Sequence, residues 1–221
     1  MELNLIQTIA VYAIPMVFAI TLHEAAHGYV AKLFGDSTAY SLGRVSLNPI
    51  RHIDPIGTIL VPFSILLAAK AEGAPGLLFG WAKPVPVNYF ALRKPREHML
   101  WVAAAGPGAN LLQALFWGIV LKLLVLAPRF EASAFLAEIA WAGIAVNIAL
   151  MLLNLIPILP LDGGRIVLSL MPDRLARSYA RLEPIGLPIL LVLLVLDAQF
   201  RILAPLVGGA TGALVGLFGF S

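Results

Sequence analysis

Three polar residues stand in an apolar run near the start of the chain. They are His23, Glu24 and His27, within "ITLHEAAHGYV", Ile20–Val30. Residues four apart share one face of a helix, so both imidazoles can reach a single ion. The glutamate lies beside them and can take a proton from water. Spaced as H-E-x-x-H, the three supply two zinc ligands and a base for hydrolysis. The plain alternative is a chance match, which a soluble helix rich in His and Glu would often give. Ionisable groups inside an apolar span are rare and usually functional, so the metal reading is favoured.

A catalytic zinc takes three protein ligands and keeps one position open. The chain has no cysteine, which rules out thiolate ligands and disulfides. Few acids lie in the apolar portions. Glu138 has no motif around it. Asp197 has Arg201 one turn later, and a helix-surface ion pair accounts for it. Asp162 follows "NLIPILP" and precedes Gly163 and Gly164. Pro157 and Pro160 break a helix there, which frees the carboxylate to turn inward. Alone, "LDGG" is an ordinary turn; beside "HEAAH", Asp162 is the expected third ligand of one zinc ion.

The elements that must position these residues are membrane spans. Sixty per cent of the 221 residues are hydrophobic and 12% are charged, with a mean hydropathy of +0.92. Soluble domains carry about a quarter charged residues. A net charge of +3 spread over so few charges does not suggest nucleic-acid binding. A spanning helix needs about 20 mostly apolar residues, and four segments qualify: about 3–33, 98–127, 133–159 and 183–203. The first lacks a basic leader region and is expected to stay as a span rather than be removed. The glycine-rich tail from Pro205 to Phe220 could be a fifth span, a re-entrant piece or an interfacial helix. The expected fold is therefore an all-α polytopic membrane protein of about 4–5 transmembrane helices. A re-entrant or extended cytoplasmic-side region joins the first two clear spans. One membrane-embedded domain, 1–221, is expected, with a core at 1–170 and C-terminal helices at 183–221.

Basic residues set the orientation, because Lys and Arg favour the cytoplasmic side. If Ile56–Ala69 does not span, Lys32, Arg44, Arg51, Lys70, Lys83, Arg93, Lys94 and Arg96 share one side with Arg165, Arg174, Arg177 and Arg181. The same arrangement brings His23, His27 and Asp162 to one leaflet, the cytoplasmic one. A spanning Ile56–Ala69 would separate them. A re-entrant or interfacial hairpin is thus the preferred reading of that segment.

"HEAAH", "AAAGPGANLL" and "NLIPILPLDGGR", in that order, resemble the site-2 protease family of intramembrane zinc metalloproteases. "GRVSLNPIRHIDPIGTI" and "FGWAKPVPVN" resemble its short branch without PDZ or CBS domains. The resemblance implies zinc held by His23, His27 and Asp162, with Glu24 as catalytic base. It also implies that Asn154 lies near the active site and helps hold substrate or a developing oxyanion. A transmembrane protein substrate, a lipid bilayer and a bacterial or archaeal cell membrane are its expected surroundings.

Other residues admit two readings. Asn110, near Gly106 and Pro107, could bridge helices or line the site, and small residues there let helices approach closely. His52 suits a loop histidine paired with an acid such as Asp54, or a place at the cavity mouth. Trp81, Trp101 and Tyr89 suit an interfacial belt. Pro84 and Pro86 suit an extended edge where a substrate strand could pair. A metal transporter or metal-sensing membrane protein is the competing function. It would need polar sites strung across the membrane, whereas the sequence offers one cluster.

Overall fold

The computed structural model describes residues 4–60, 82–127, 130–200 and 202–220. Its helices are α1 (Leu5–Leu33), α2 (Thr38–Ser41), α3 (Pro95–Leu126), α4 (Ser133–Asn154), α5 (Asp162–Leu170), α6 (Asp173–Ala180), α7 (Glu183–Phe200) and α8 (Leu203–Leu217). No strand occurs among the described residues. Local sequence explains several boundaries. Asn4 and Gln7 form a reciprocal capping box at the start of α1, with bonds of 2.8 and 3.0 Å. Pro95 opens α3, where its missing N–H would have had no partner. α4 ends at Asn154, short of the expected Leu159, because Ile156 precedes Pro157 and is biased away from helical backbone.

Among the described residues, three helices are long and apolar enough to cross a membrane: Ile6–Leu33, Pro95–Leu126 and Ser133–Asn154. Asp173–Ala180 and Glu183–Asp197 pass the same test only as a pair, bent by 66°, which makes them either one broken span or a re-entrant loop. The glycine-rich tail forms the 15-residue apolar helix α8, shorter than the roughly 20 residues a span needs. Phe18, Leu112, Phe116, Ile119 and Leu123 stand exposed on α1 and α3, as side chains that lipid would cover. The all-helical polytopic architecture is as expected.

α3 packs along α4, and α1 lies against both. α3 buries Met99, Val102, Ala103, Gly106, Asn110, Gln113, Ala114, Gly118 and Leu121, a stripe with three- and four-residue steps. Glycines set the close approaches: a Cβ on Gly143 would stand 2.5 Å from the Trp117 ring, and Phe218 fills the notch at Gly118. Asp197 accepts the Leu203 N–H at 2.6 Å and ties α7 to the first residue of α8. The Arg201 expected as its ion partner lies outside the described residues.

Both flanks of the region between α1 and α3 meet at one end of the bundle. The Arg93 N–H donates to Phe34 O at 2.9 Å, and its guanidinium donates to Leu33 O at 2.6 Å. Trp101 and Tyr89, two of the expected belt residues, are exposed, and the third, Trp81, lies outside the described residues. Ile56–Ala69 lies outside the described residues from 61 onward; its first residues complete a short π-helical turn, Pro55–Leu60. Residues 82–88 form neither helix nor strand, and Lys83, Val85 and Asn88 turn their N–H groups inward to His52 O, Glu24 and Asp36. Those three donors are engaged within the protein, and Pro84 and Pro86 have none to offer a partner strand. At the same end, Arg96 at the start of α3 grips the end of α5. Its Nε donates to Ser169 O at 2.8 Å, a second nitrogen donates to Met171 O, and a third meets Asp173 Oδ1 at 2.9 Å. Terminal helix carbonyls lack intrahelical partners, and the guanidinium supplies them.

Candidate metal centre

His23 and His27 sit one turn apart on α1 and face α3. Both are buried, and their rings meet edge-on at 84° with centroids 4.7 Å apart. The two Nε2 atoms are 3.1 Å apart. Asp162, the first residue of α5, reaches both: Oδ2 is 3.1 Å from His23 Nε2 and Oδ1 is 3.4 Å from His27 Nε2. One ligand atom from each of the three lies within 4.8 Å of the others.

The backbone explains how Asp162 arrives. A Cβ on Gly163 would strike the Leu155 carbonyl, and one on Gly164 would stand 2.5 Å from the Ile158 carbonyl carbon. The first turn of α5 therefore lies directly on the loop that follows α4, which only glycine permits. Tyr179 of α6 donates to Pro157 O at 2.8 Å and holds that loop from the other side.

The far nitrogens of both rings are also engaged. His23 Nδ1 donates to Asn110 Oδ1 at 2.6 Å, and His27 Nδ1 donates to Val102 O at 2.7 Å. Each ring thus turns Nε2 toward Asp162, the pattern of metal-bound histidines. Gly106 lies between these two acceptors on α3. A Cβ there would stand 2.5 Å from Nε2 of both histidines. Asp162 Oδ2 is buried without a well-formed hydrogen bond. Two imidazole nitrogens, an under-satisfied carboxylate oxygen and a glycine clearance suit a small cation with nitrogen and oxygen ligands, such as zinc.

Glu24 is half-buried, and its Oε2 accepts the Val85 N–H at 2.7 Å. Asn110 is fully buried, with its Oδ1 against His23 and its Nδ2 donating to Asn147 on α4. Asn154 ends α4 with its Nδ2 turned back onto Leu150 O at 3.0 Å. His52 is only 2% exposed, and its Nε2 donates to Ser46 O at 2.9 Å, so it sits inside its loop rather than at an open mouth.

Sequence reasoning did not single out Asn147, Val102 or Val85. Asn147 carries a usable signal, a polar amide in the middle of an apolar span. Val102 and Val85 act through backbone atoms and carry none. Gly106 was read as a helix-packing residue, and its neighbours are the two imidazoles.

A sequence profile of Peptidase family M50 matches residues 127–196, which include Asp162. The chain is 39% identical over 209 residues to "Putative zinc metalloprotease YwhC" of Bacillus subtilis, covering 93% of this chain and 89% of that protein. It is 30% identical over 188 residues to "Putative zinc metalloprotease Rip2" of Mycolicibacterium smegmatis, covering 83% of this chain and 66% of that protein. The Rip2 of Mycobacterium tuberculosis strain H37Rv is 29% identical over 179 residues, 79% of this chain and 62% of that protein. No solved structure matches the chain. With a relative matched along nearly its whole length, and a histidine pair meeting an aspartate inside an apolar helical bundle, this chain belongs to Peptidase family M50, the site-2 protease family.

Proposed function

We propose that the protein is an integral-membrane zinc endopeptidase that hydrolyses peptide bonds within or near transmembrane segments of membrane-protein substrates. One observation carries the proposal. Two imidazole Nε2 atoms and a carboxylate converge around Gly106 inside an apolar bundle, with Glu24 next to His23 on the same helix. His23, His27 and Asp162 would hold the ion. Bound there, zinc supplies a Lewis acid for the scissile carbonyl and lowers the pKa of water toward about 7.

The chain's own residues do the rest. The Glu24 carboxylate takes the proton from the attacking water and returns it to the leaving amine nitrogen. The Val85 N–H fixes one of its oxygens at 2.7 Å. Asn154 turns from Leu150 O and donates to the substrate carbonyl. A substrate helix must unwind locally, because an intact helix keeps its carbonyls engaged. The gathering of Lys32, Arg44, Arg93, Lys94 and Arg96 about the shared end of α1 and α3 supports a site facing the cytoplasmic leaflet, and the bacterial relatives support a bacterial cell membrane.

Glu24→Gln tests the mechanism. It should retain zinc and lose cleavage of a single-span model substrate by about 10²–10⁴-fold, the usual worth of a general base. Wild-type-like cleavage by this variant would overturn the assignment. Metal transport draws no support from the described residues, which hold one cluster of three or more ligand groups. Zinc flux into liposomes with no peptidase activity would reverse that choice.

A further inference from the structure

The Asn110 amide poses a question of direction. An asparagine offers a carbonyl on one side and an NH2 on the other. With its carbonyl toward His23, it requires the ring proton on Nδ1 and leaves the Nε2 lone pair aimed at Asp162 and the metal site. Turned over, it would present NH2 to Nδ1, place the proton on Nε2 and remove that lone pair. Shape alone does not choose, because the two orientations occupy the same volume.

The choice is made one helix away. Asn110 Nδ2 lies 3.0 Å from Asn147 Oδ1 and 3.3 Å from Ala19 O. Asn147 Nδ2 in turn donates to Gly143 O at 2.9 Å, one turn back on α4. A backbone carbonyl can only accept, so it holds the Asn147 NH2 and turns the Asn147 carbonyl toward Asn110. That carbonyl holds the Asn110 NH2 and turns the Asn110 carbonyl toward His23. Both asparagines are 0% exposed, so an inverted amide would face acceptor to acceptor in a dry interior.

We infer that Asn147, which touches no presumed ligand, is a positioning residue for the metal site. The order Gly143 C=O, Asn147, Asn110, His23 sets the tautomer of one ligand from the backbone of α4. His27 is set differently, directly by the Val102 carbonyl, and serves as an internal control. Only the zinc-affinity consequence rests on the proposed peptidase reading; the tautomer does not.

The full chain, metal-free in nanodiscs and labelled with 15N-imidazole, tests this. It has four histidines, so each ring can be followed. Spectra are taken at alkaline pH, where each ring carries a single proton. The wild type should hold His23 as the Nδ1–H form. Asn147→Leu should move His23 partly to Nε2–H, since Ala19 O still holds the amide weakly, and should leave His27 unmoved. Zinc affinity, measured by chelator competition, should fall about tenfold, and about a hundredfold for Asn110→Leu. Asn147→Asp should restore both readouts as the neutral acid, whose O–H donates to Gly143 O while its carbonyl accepts from Asn110. Asn147→Ala, which only removes atoms, carries the test if the leucine variant does not fold. An unmoved His23 proton in Asn147→Leu or Asn147→Ala overturns the inference, as does an equal shift of His27. If the wild type binds no zinc, the metal reading fails while the tautomer comparison still decides this one.

Discussion

α3 and α4 meet along one seam built in two ways. Toward the end of α3 it is dry: Ala114, Leu121, Ala140, Ile144 and Ile148 pack together with Leu214 and Val215 of α8. Toward the start of α3 it is polar, with Gly106, Asn110 and Asn147 around His23 and His27. In a bilayer, lipid tails are as apolar as leucine, so the dry half is held by closeness of fit rather than by escape from water. The polar half is held by bonds with a direction. A change of shape should therefore hurt the dry half through stability alone. A change of donor or acceptor should hurt the polar half through chemistry.

The largest effect should follow Asp162→Ala, which removes one of three ligands. Bound zinc and cleavage should both fall to background, read by metal content and by processing of a single-span substrate. Next comes Gly106→Ala, whose methyl would crowd both imidazoles. It should lower zinc affinity at least about tenfold, as supporting-group changes do, with helical content retained. On the dry half, Gly118→Ala presses on the Phe218 ring and should cost about 1–3 kcal/mol of stability. Zinc bound per folded molecule should not change. If Gly118→Ala lowers zinc affinity as far as Gly106→Ala does, the seam is one mechanical unit and the contrast is lost. Ile144→Val should cost about 0.5–1.5 kcal/mol and leave cleavage unaltered. Glu97→Gln should change either property least, within about 0.5 kcal/mol, because the Lys94–Glu97 pair is 66% and 68% exposed.

The contrast also explains what could be read from the sequence. His23, Glu24 and His27 were legible because charged and imidazole groups are scarce in apolar spans. Asp162 was legible because two prolines and two glycines mark a chain break beside it. The long helices follow from composition. Asn147 was as visible as Asn110, but it belongs to no motif, and its partner lies 37 residues away. The contacts of Glu24 with Val85 and of His27 with Val102 use backbone atoms, which every residue possesses. Side-chain type therefore gives no hint of them. The bend between α6 and α7 was hidden too, because hydropathy reports burial in lipid and not the angle at which helices join.

α3 contributes none of the three presumed ligands, yet each is referred to it. Asn110 orients His23, Val102 orients His27, Gly106 leaves room for both rings, and Arg96 grips the helix that begins with Asp162. α3 is the gauge bar against which the centre is set. Its phase matters as much as its residues. One residue inserted between Val102 and Gly106 would rotate everything on one side of it by about 100° relative to the other. The orienting carbonyl for His27 and the orienting amide for His23 would then lie on different faces, with every ligand still encoded.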